Sequence, residues 1–290
     1  MKNLPKKFCN KVMRSDVIDT LRSLPENCVD MIYGDPDYNV GVVYAGGKKH
    51  KKTWDSYIDW YSDIARESLR VLKPTGNLFL INYPKQNAHL RAKFLDDAAY
   101  DVQDYAWVYN TNVGHSKKRF TTAHRSILHA TKTKQNKFYK DPVAVPYQNL
   151  NDKRIKKRIA DGHLGRMPYS WFYFDLVKNV SRDKTLHSCQ IPLPLVEMLI
   201  KSCTIEYDNI FVLFGGSGSE IVLAKELKRN FISAEINPTY HKMILDRLKN
   251  NGVIDIKYRQ EFIQKKQGYN TNKNNEESQQ KLLEKRIKYK

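Results

Sequence analysis

The stretch IFVLFGGSGSEIVLAKEL, residues 210–227, divides into an apolar strand, a glycine-rich turn and a helix. Gly215, Gly216 and Gly218 let the backbone come close to a ligand, and the N-terminus of the helix behind them favours negative charge. A second strand, NFISAEI, then delivers Glu235, 17 residues after Gly218. A carboxylate at that strand tip is placed to accept hydrogen bonds from ribose hydroxyls. Glycine turn plus acid therefore points to a nucleotide-like cofactor. NAD, FAD and S-adenosylmethionine fit this pattern equally well, since each carries an adenosine.

Outward from this unit, strand and helix patterns alternate. IPLPLVEMLIKSC (191–203) precedes it and PTYHKMILDRLKN (238–250) follows, both with apolar residues at helical spacing. In the first half, SDVIDTLRSL, SYIDWYSDIARESLRVL and KQNAHLRAKFLDDA read as helices, the first behind a Ser15/Asp16 cap. CVDMIYGD, NLFLINY, YAWVYN and SILHAT read as strands. Such alternation predicts an α/β fold, a doubly wound and mostly parallel sheet with helices on both faces. It fails between residues 132 and 186 and resumes after them. Residues 1–131 and 187–250 are thus expected to be two halves of one domain, with 132–186 inserted. Residues 251–290 form a polar, basic tail rich in Asn, Gln and Lys, expected to be partly disordered, with a loose terminal helix in QQKLLEKRIKY as an open alternative.

The charge follows the same division. The chain has 290 residues with 50 Lys and Arg against 31 Asp and Glu, a net of +19. Residues 111–185 alone hold 17 basic residues against five Asp, and residues 250–290 hold ten against five. A nearly neutral body with a basic insert fits a catalytic core carrying a module for a polyanion, either nucleic acid or an anionic membrane surface. No apolar run is long enough to span a membrane and no signal peptide is visible, so the protein is expected in the cytoplasm, associated with the nucleoid. The four cysteines and eight histidines show no metal-ligand spacing, so neither a metal site nor disulfides are expected.

MIYGDPDYNVG (31–41) is the second informative stretch. An apolar strand ends on Gly34 and at once presents Asp35, Pro36, Asp37 and Tyr38. A carboxylate and a proline carbonyl at a strand tip are two hydrogen-bond acceptors, and an aromatic ring beside them is a platform for a flat base. That set holds an exocyclic amino group: one N–H to Asp35, the other to the Pro36 carbonyl, with Tyr38 stacked on the ring.

At this point the chain resembles the amino-group DNA methyltransferases of the permuted (beta) class, the N6-adenine/N4-cytosine family. The resemblance lies in LPENCVDMIYGDPDYN, RVLKPTGNLFLIN, HSCQIPLPLVEMLI, VLFGGSGSE and EINPTY, five motifs in the family's order. It implies a Rossmann-like methyltransferase sheet with a basic target-recognition insert, S-adenosylmethionine as cofactor and double-stranded DNA as partner. It also implies transfer of a methyl group to adenine N6 after the base is flipped from the duplex, in a restriction-modification setting or as a solitary methylase. Asp35, Pro36 and Tyr38 then become catalytic. Asp16, Asp35, His187, Gln190, Phe214, Gly216, Ser217, Gly218, Glu235 and Asn237 become cofactor-binding. Phosphate contacts are expected from Lys48, Lys49, Lys51 and Lys52 in a lid-like loop, from Lys117, Lys118 and Arg119, and from Lys153, Arg154, Lys156, Lys157, Arg158 and Arg166. The aromatic run in GRMPYSWFYFD reads first as the small module's own core, and alternatively as a wedge for the duplex.

Three positions depart from the family. Asp37 replaces a second proline, Ile191 a lysine, and Val212 the acid that closes the cofactor strand. Losing that acid removes a partner for the cofactor's methionine end, which Asp16 or Asp35 is expected to replace. Other readings stay open: a cytosine-N4 enzyme, a catalytically weak DNA-binding subunit of a methyltransferase complex, or an RNA-modifying enzyme. A cognate restriction endonuclease, a second methyltransferase subunit and a homodimer all stay open as partners.

Overall fold

Strand β2 (Val29–Gly34) is buried along its whole length, because helices cover both faces of the sheet at its centre. The computed structural model describes residues 3–41, 51–110, 117–118, 120–177, 185–187 and 189–258. Before β2 come β1 (Lys11–Met13) and helix α1 (Val17–Ser23), which Asp16 caps by accepting from the Ile18 N–H at 2.8 Å. After it come α2 (Trp54–Val71), β3 (Leu72–Asn82) and α3 (Pro84–Leu90). Helix α3 continues through a wide turn at Arg91–Leu95 into the short α4 (Asp96–Ala98). Strands β4 (Asp101–Val108) and β5 (His124–Thr131) close the first half. The inserted segment contributes α5 (Lys153–Ala160) and β6 (Trp171–Tyr173). The second half is α6 (Leu193–Cys203), β7 (Asn209–Val212), α7 (Ser219–Glu226), β8 (Asn230–Ala234) and α8 (Pro238–Lys249).

The eight strands form one sheet in the order β1-β8-β7-β2-β3-β5-β4-β6. All pairings are parallel except those of β5 with its two neighbours. Alternation along the central strands sorts side chains onto the two faces. Ile32, Leu78, Leu80 and Phe211 pack with α1, α2 and α3 on one side. Met31, Tyr33, Phe79, Ile210 and Val212 pack with α6 and α7 on the other.

Two edge strands are not visible as patterns in the sequence. β1 and β6 have three residues each, too few to show a period. β6 pairs with β4, so the inserted segment supplies the sheet's last strand. This corrects the reading of the aromatic run as a separate small core. Phe172 and Phe174 turn inward onto the main core, and Trp107 donates its indole N–H to the Phe174 carbonyl at 2.8 Å. Tyr169, Trp171 and Tyr173 face solvent instead. No described helix is long and apolar enough to cross a membrane.

Candidate active site

The chain leaves β7 through α7 toward β8 on one side, and leaves β2 through α2 toward β3 on the other. Adjacent parallel strands whose connections diverge leave a crevice at their carboxyl ends, where α/β sheets bind ligands. Here the backbone N–H of Leu213 donates to the Tyr33 carbonyl at 2.8 Å, joining the two strand ends. The DPDY loop and the GGSG loop therefore start from neighbouring points on one rim. Between them lies a cavity of about 620 Å³. Asp35, Pro36 and Tyr38 line it from one side; Phe214, Gly216, Ser217, Glu235 and Asn237 line it from the other, and Asp16 and His187 complete the wall.

On the β2 side, the Tyr38 hydroxyl donates a short hydrogen bond to Asp35 Oδ1. Protein packed around the Asp35 carboxyl pushes its pKa up to about 7; the Tyr38 bond opposes this and the nearby Glu220 reinforces it. Tyr38 itself is buried, edge-on to Tyr83 with ring centroids 5.1 Å apart, and the Arg125 guanidinium lies 5.4 Å from its ring. Gln86 Nε2 donates to the Tyr38 carbonyl at 2.8 Å. Asp37 acts on the turn: its Oδ1 accepts from the Asn39 N–H at 2.8 Å, and its carbonyl accepts from the Tyr57 hydroxyl at 2.7 Å. An Asx turn thus supplies stiffness that a second proline would otherwise give.

On the β7 side, Gly216 (φ +51°) and Gly218 (φ +75°) hold left-handed backbone, which glycine adopts without steric cost. Glu235 is buried and fastens this turn to its own strand tip. Its Oε2 accepts from Gly216 N–H at 2.8 Å and its Oε1 from Asn237 N–H at 2.7 Å. Burial raises its pKa. A Cβ on Gly216 would stand 3.2 Å from His187 Nε2, so the imidazole closes over a bare backbone.

Two expected cofactor residues stand behind the wall. Gln190 is absent from the lining and its Oε1 accepts from the Thr185 N–H at 2.7 Å, bracing the loop that carries His187. Gly218, also absent from the lining, begins α7. The sequence reading missed Tyr33, Trp60 and Glu220, which do line the cavity. An acid within the otherwise uncharged SEIVLA, all six residues of which α7 buries, was the available signal for Glu220.

Among the expected phosphate contacts, Lys51 and Lys52 lie at the cavity mouth. Lys117, Lys118, Lys153, Arg154, Lys156, Lys157 and Arg158 are exposed, and α5 buries no residue at all. Arg166 is half-buried with its guanidinium 4.1 Å from the Tyr169 ring. Lys48, Lys49 and Arg119 lie outside the described residues, as do most of the lid-like loop and most of the tail. Among the described residues no group of three or more His, Cys, Asp or Glu is arranged to hold a metal ion.

The residues fit an adenosine-bearing cofactor: a bare glycine turn, a buried acid at the next strand tip, and a cavity-lining Tyr33 whose buried hydroxyl has no hydrogen-bond partner among the described residues. Fold and pocket together define a Rossmann-like methyltransferase. The chain belongs to the N6/N4 DNA methylase family, whose model, described as "DNA methylase", matches residues 29–246. It is a DNA methyltransferase that uses S-adenosylmethionine. It is similar to the type II methyltransferase M.BglII of Bacillus subtilis, 27% identical over 281 residues, covering 91% of this chain and 77% of that one. It is also similar to the DNA adenine methyltransferase YhdJ of Escherichia coli (strain K12), 26% identical over 256 residues, covering 84% and 85%. The solved PvuII DNA methyltransferase (cytosine-N4-specific) shares the fold with a TM-score of 0.62 at 17% identity, covering 88% of this chain and 90% of that one.

Proposed function

We propose that the chain methylates adenine N6 in duplex DNA, as the modification half of a restriction-modification pair. The observation that carries the chemistry is the meeting of the DPDY and GGSG loops across the β2–β7 crevice. S-adenosylmethionine, when bound, supplies an electrophilic methyl group on a sulfonium. Asp35 and the Pro36 carbonyl accept the two N–H bonds of the base's amino group, which draws the nitrogen lone pair away from the ring. With the cofactor bound, the amine nitrogen would take the methyl group in line as the S–C bond breaks and S-adenosylhomocysteine leaves, and Asp35 or water would receive the proton that the nitrogen sheds. Alignment and two acceptors do most of this work. Because Tyr38 holds Asp35 Oδ1, an incoming amine displaces the phenol, and the freed ring is available to stack on the base.

The base must leave the duplex to reach Asp35, at a cost of about a few kcal/mol of unstacking. Lys51 and Lys52 at the mouth and the exposed α5 row Lys153, Arg154, Lys156, Lys157 and Arg158 offset this by phosphate contact. Asp in the first position of the tetrapeptide supports adenine over cytosine, as does the similarity to an adenine enzyme. The type II names of its relatives support a restriction partner. Incubating the purified chain with labelled S-adenosylmethionine and mixed-sequence duplex DNA, then analysing nucleosides by mass spectrometry, tests the base. N6-methyl-2′-deoxyadenosine is expected, and N4-methyl-2′-deoxycytidine would overturn the assignment.

A further inference from the structure

Tyr33 and Val212 are paired residues of β2 and β7, and both side chains lie on the sheet face that α6 and α7 cover. The Tyr33 hydroxyl is buried and lacks a hydrogen-bond partner among the described residues, yet the residue borders the cavity. A buried hydroxyl left in that state costs about 1–3 kcal/mol. Glu220, in the first turn of α7, reaches the same cavity wall and is 7% exposed. Its charge is felt by both Tyr33 and Asp35. The cation that acts on Glu220 is Arg247, but this guanidinium donates to the Ser217 carbonyl at 2.5 Å and the Ser219 hydroxyl at 3.0 Å, holding the turn.

A buried carboxylate whose neighbouring cation also holds the turn, and a phenol without a hydrogen-bond partner among the described residues, leave room for a further donor at one wall of a cofactor pocket. The strand-end position on that face is Val212, which is buried and brings no charge. S-adenosylmethionine carries an ammonium group at its amino-acid end, remote from the methyl that Asp35 must face. We propose that Glu220, with the Tyr33 hydroxyl beside it, receives this ammonium, supplying from α7 the charge that Val212 cannot supply from β7. Asp16 and Asp35, the acids expected from the sequence to take this role, also line the cavity; Asp16 Oδ1 already caps α1 and Asp35 faces the base amine in the proposed reaction, which leaves Glu220 for the amino-acid end.

This inference rests on assigning the cavity to the cofactor, and two ligands separate the two claims. S-adenosylhomocysteine carries the amino-acid end; 5′-methylthioadenosine lacks it. Calorimetric titration of both into the full chain and into Glu220→Gln at pH 8 is the test. The variant is expected to bind S-adenosylhomocysteine at least tenfold more weakly and methylthioadenosine within twofold of wild type. Its unliganded melting temperature at pH 8 is expected to equal or exceed that of wild type, because a buried charge has gone; this distinguishes a lost ligand contact from a damaged fold. Equal weakening for both ligands, or for neither, overturns the ammonium receptor alone. A wild-type chain that binds neither overturns the pocket assignment and the receptor with it.

Discussion

The Leu213 N–H and the Tyr33 carbonyl, 2.8 Å apart, join two strand ends that are 180 residues apart in the chain. Each is followed within two residues by a loop of the site, so this contact sets the GGSG and DPDY loops side by side. Gly34 lies directly beneath it. A Cβ there would come 2.8 Å from Leu213 Cδ1 and 2.9 Å from Leu80 Cδ2, both in buried leucines.

Gly34→Ala is therefore expected to destabilise the chain by about 1–3 kcal/mol through overpacking. Urea unfolding checks this, as a lower midpoint at unchanged slope. An unchanged midpoint would mean that the rim is not close-packed.

Tyr38 has two separable parts. Tyr38→Phe keeps the ring and removes the bond that holds the Asp35 pKa down, so that pKa should rise above its present value of about 7. The acid limb of kcat/KM against pH should then move to higher pH, with activity at pH 9 close to wild type. Tyr38→Ala should lose about tenfold to a hundredfold in kcat/KM at every pH, from ~1–3 kcal/mol of base stacking. Identical profiles for wild type and Tyr38→Phe would exclude a role for the phenol at Asp35.

The pocket turn is readable in the sequence because its demands are steep. Only glycine sits without strain at the φ of Gly216 and Gly218, and a strand buried on both faces is apolar along most of its length, as β2 is apart from Asp30 and β7 apart from Asn209. The exposed aromatics of β6 and the three residues of β1 obey no such demand, so tertiary pairing alone defines them. The Asp35–Tyr38 bond was hidden for another reason: it depends on loop dihedrals that no residue pattern encodes. Glu220 was legible in principle, but an acid early in a helix is ordinarily read as a favourable dipole partner facing water.

Glu235 ties Gly216 and Asn237 together through two backbone N–H groups. Glu235→Ala removes the acceptor from the buried Gly216 N–H, at about 1–3 kcal/mol, and from the part-buried Asn237 N–H at a smaller cost. A lower melting temperature and S-adenosylhomocysteine binding at least tenfold weaker are expected together. Loss of binding with an unchanged melting temperature would show that the carboxylate serves only the ligand.

Asp35 and Glu220 both have pKa values raised to about 7 by burial, from ordinary values of 3.8 and 4.5. Between about pH 4 and 7 the folded chain keeps protons that the unfolded chain releases, so their contribution to stability falls as pH rises through this window and levels off above it. Glu220→Gln should match wild type near pH 4 and be more stable than wild type at pH 8. Thermal melts of both proteins across that range check the sign; a variant less stable at pH 8 would contradict it.

In the proposed mechanism Asp35 accepts the amine of an extruded base across the β2–β7 crevice. The most direct measurement compares wild type and Asp35→Ala with labelled S-adenosylmethionine and duplex DNA, scoring methylated nucleoside by mass spectrometry and DNA retention in the same samples. The prediction is N6-methyl-2′-deoxyadenosine from wild type and none from Asp35→Ala, with DNA retention unchanged within about twofold. Normal methylation by Asp35→Ala would contradict the account.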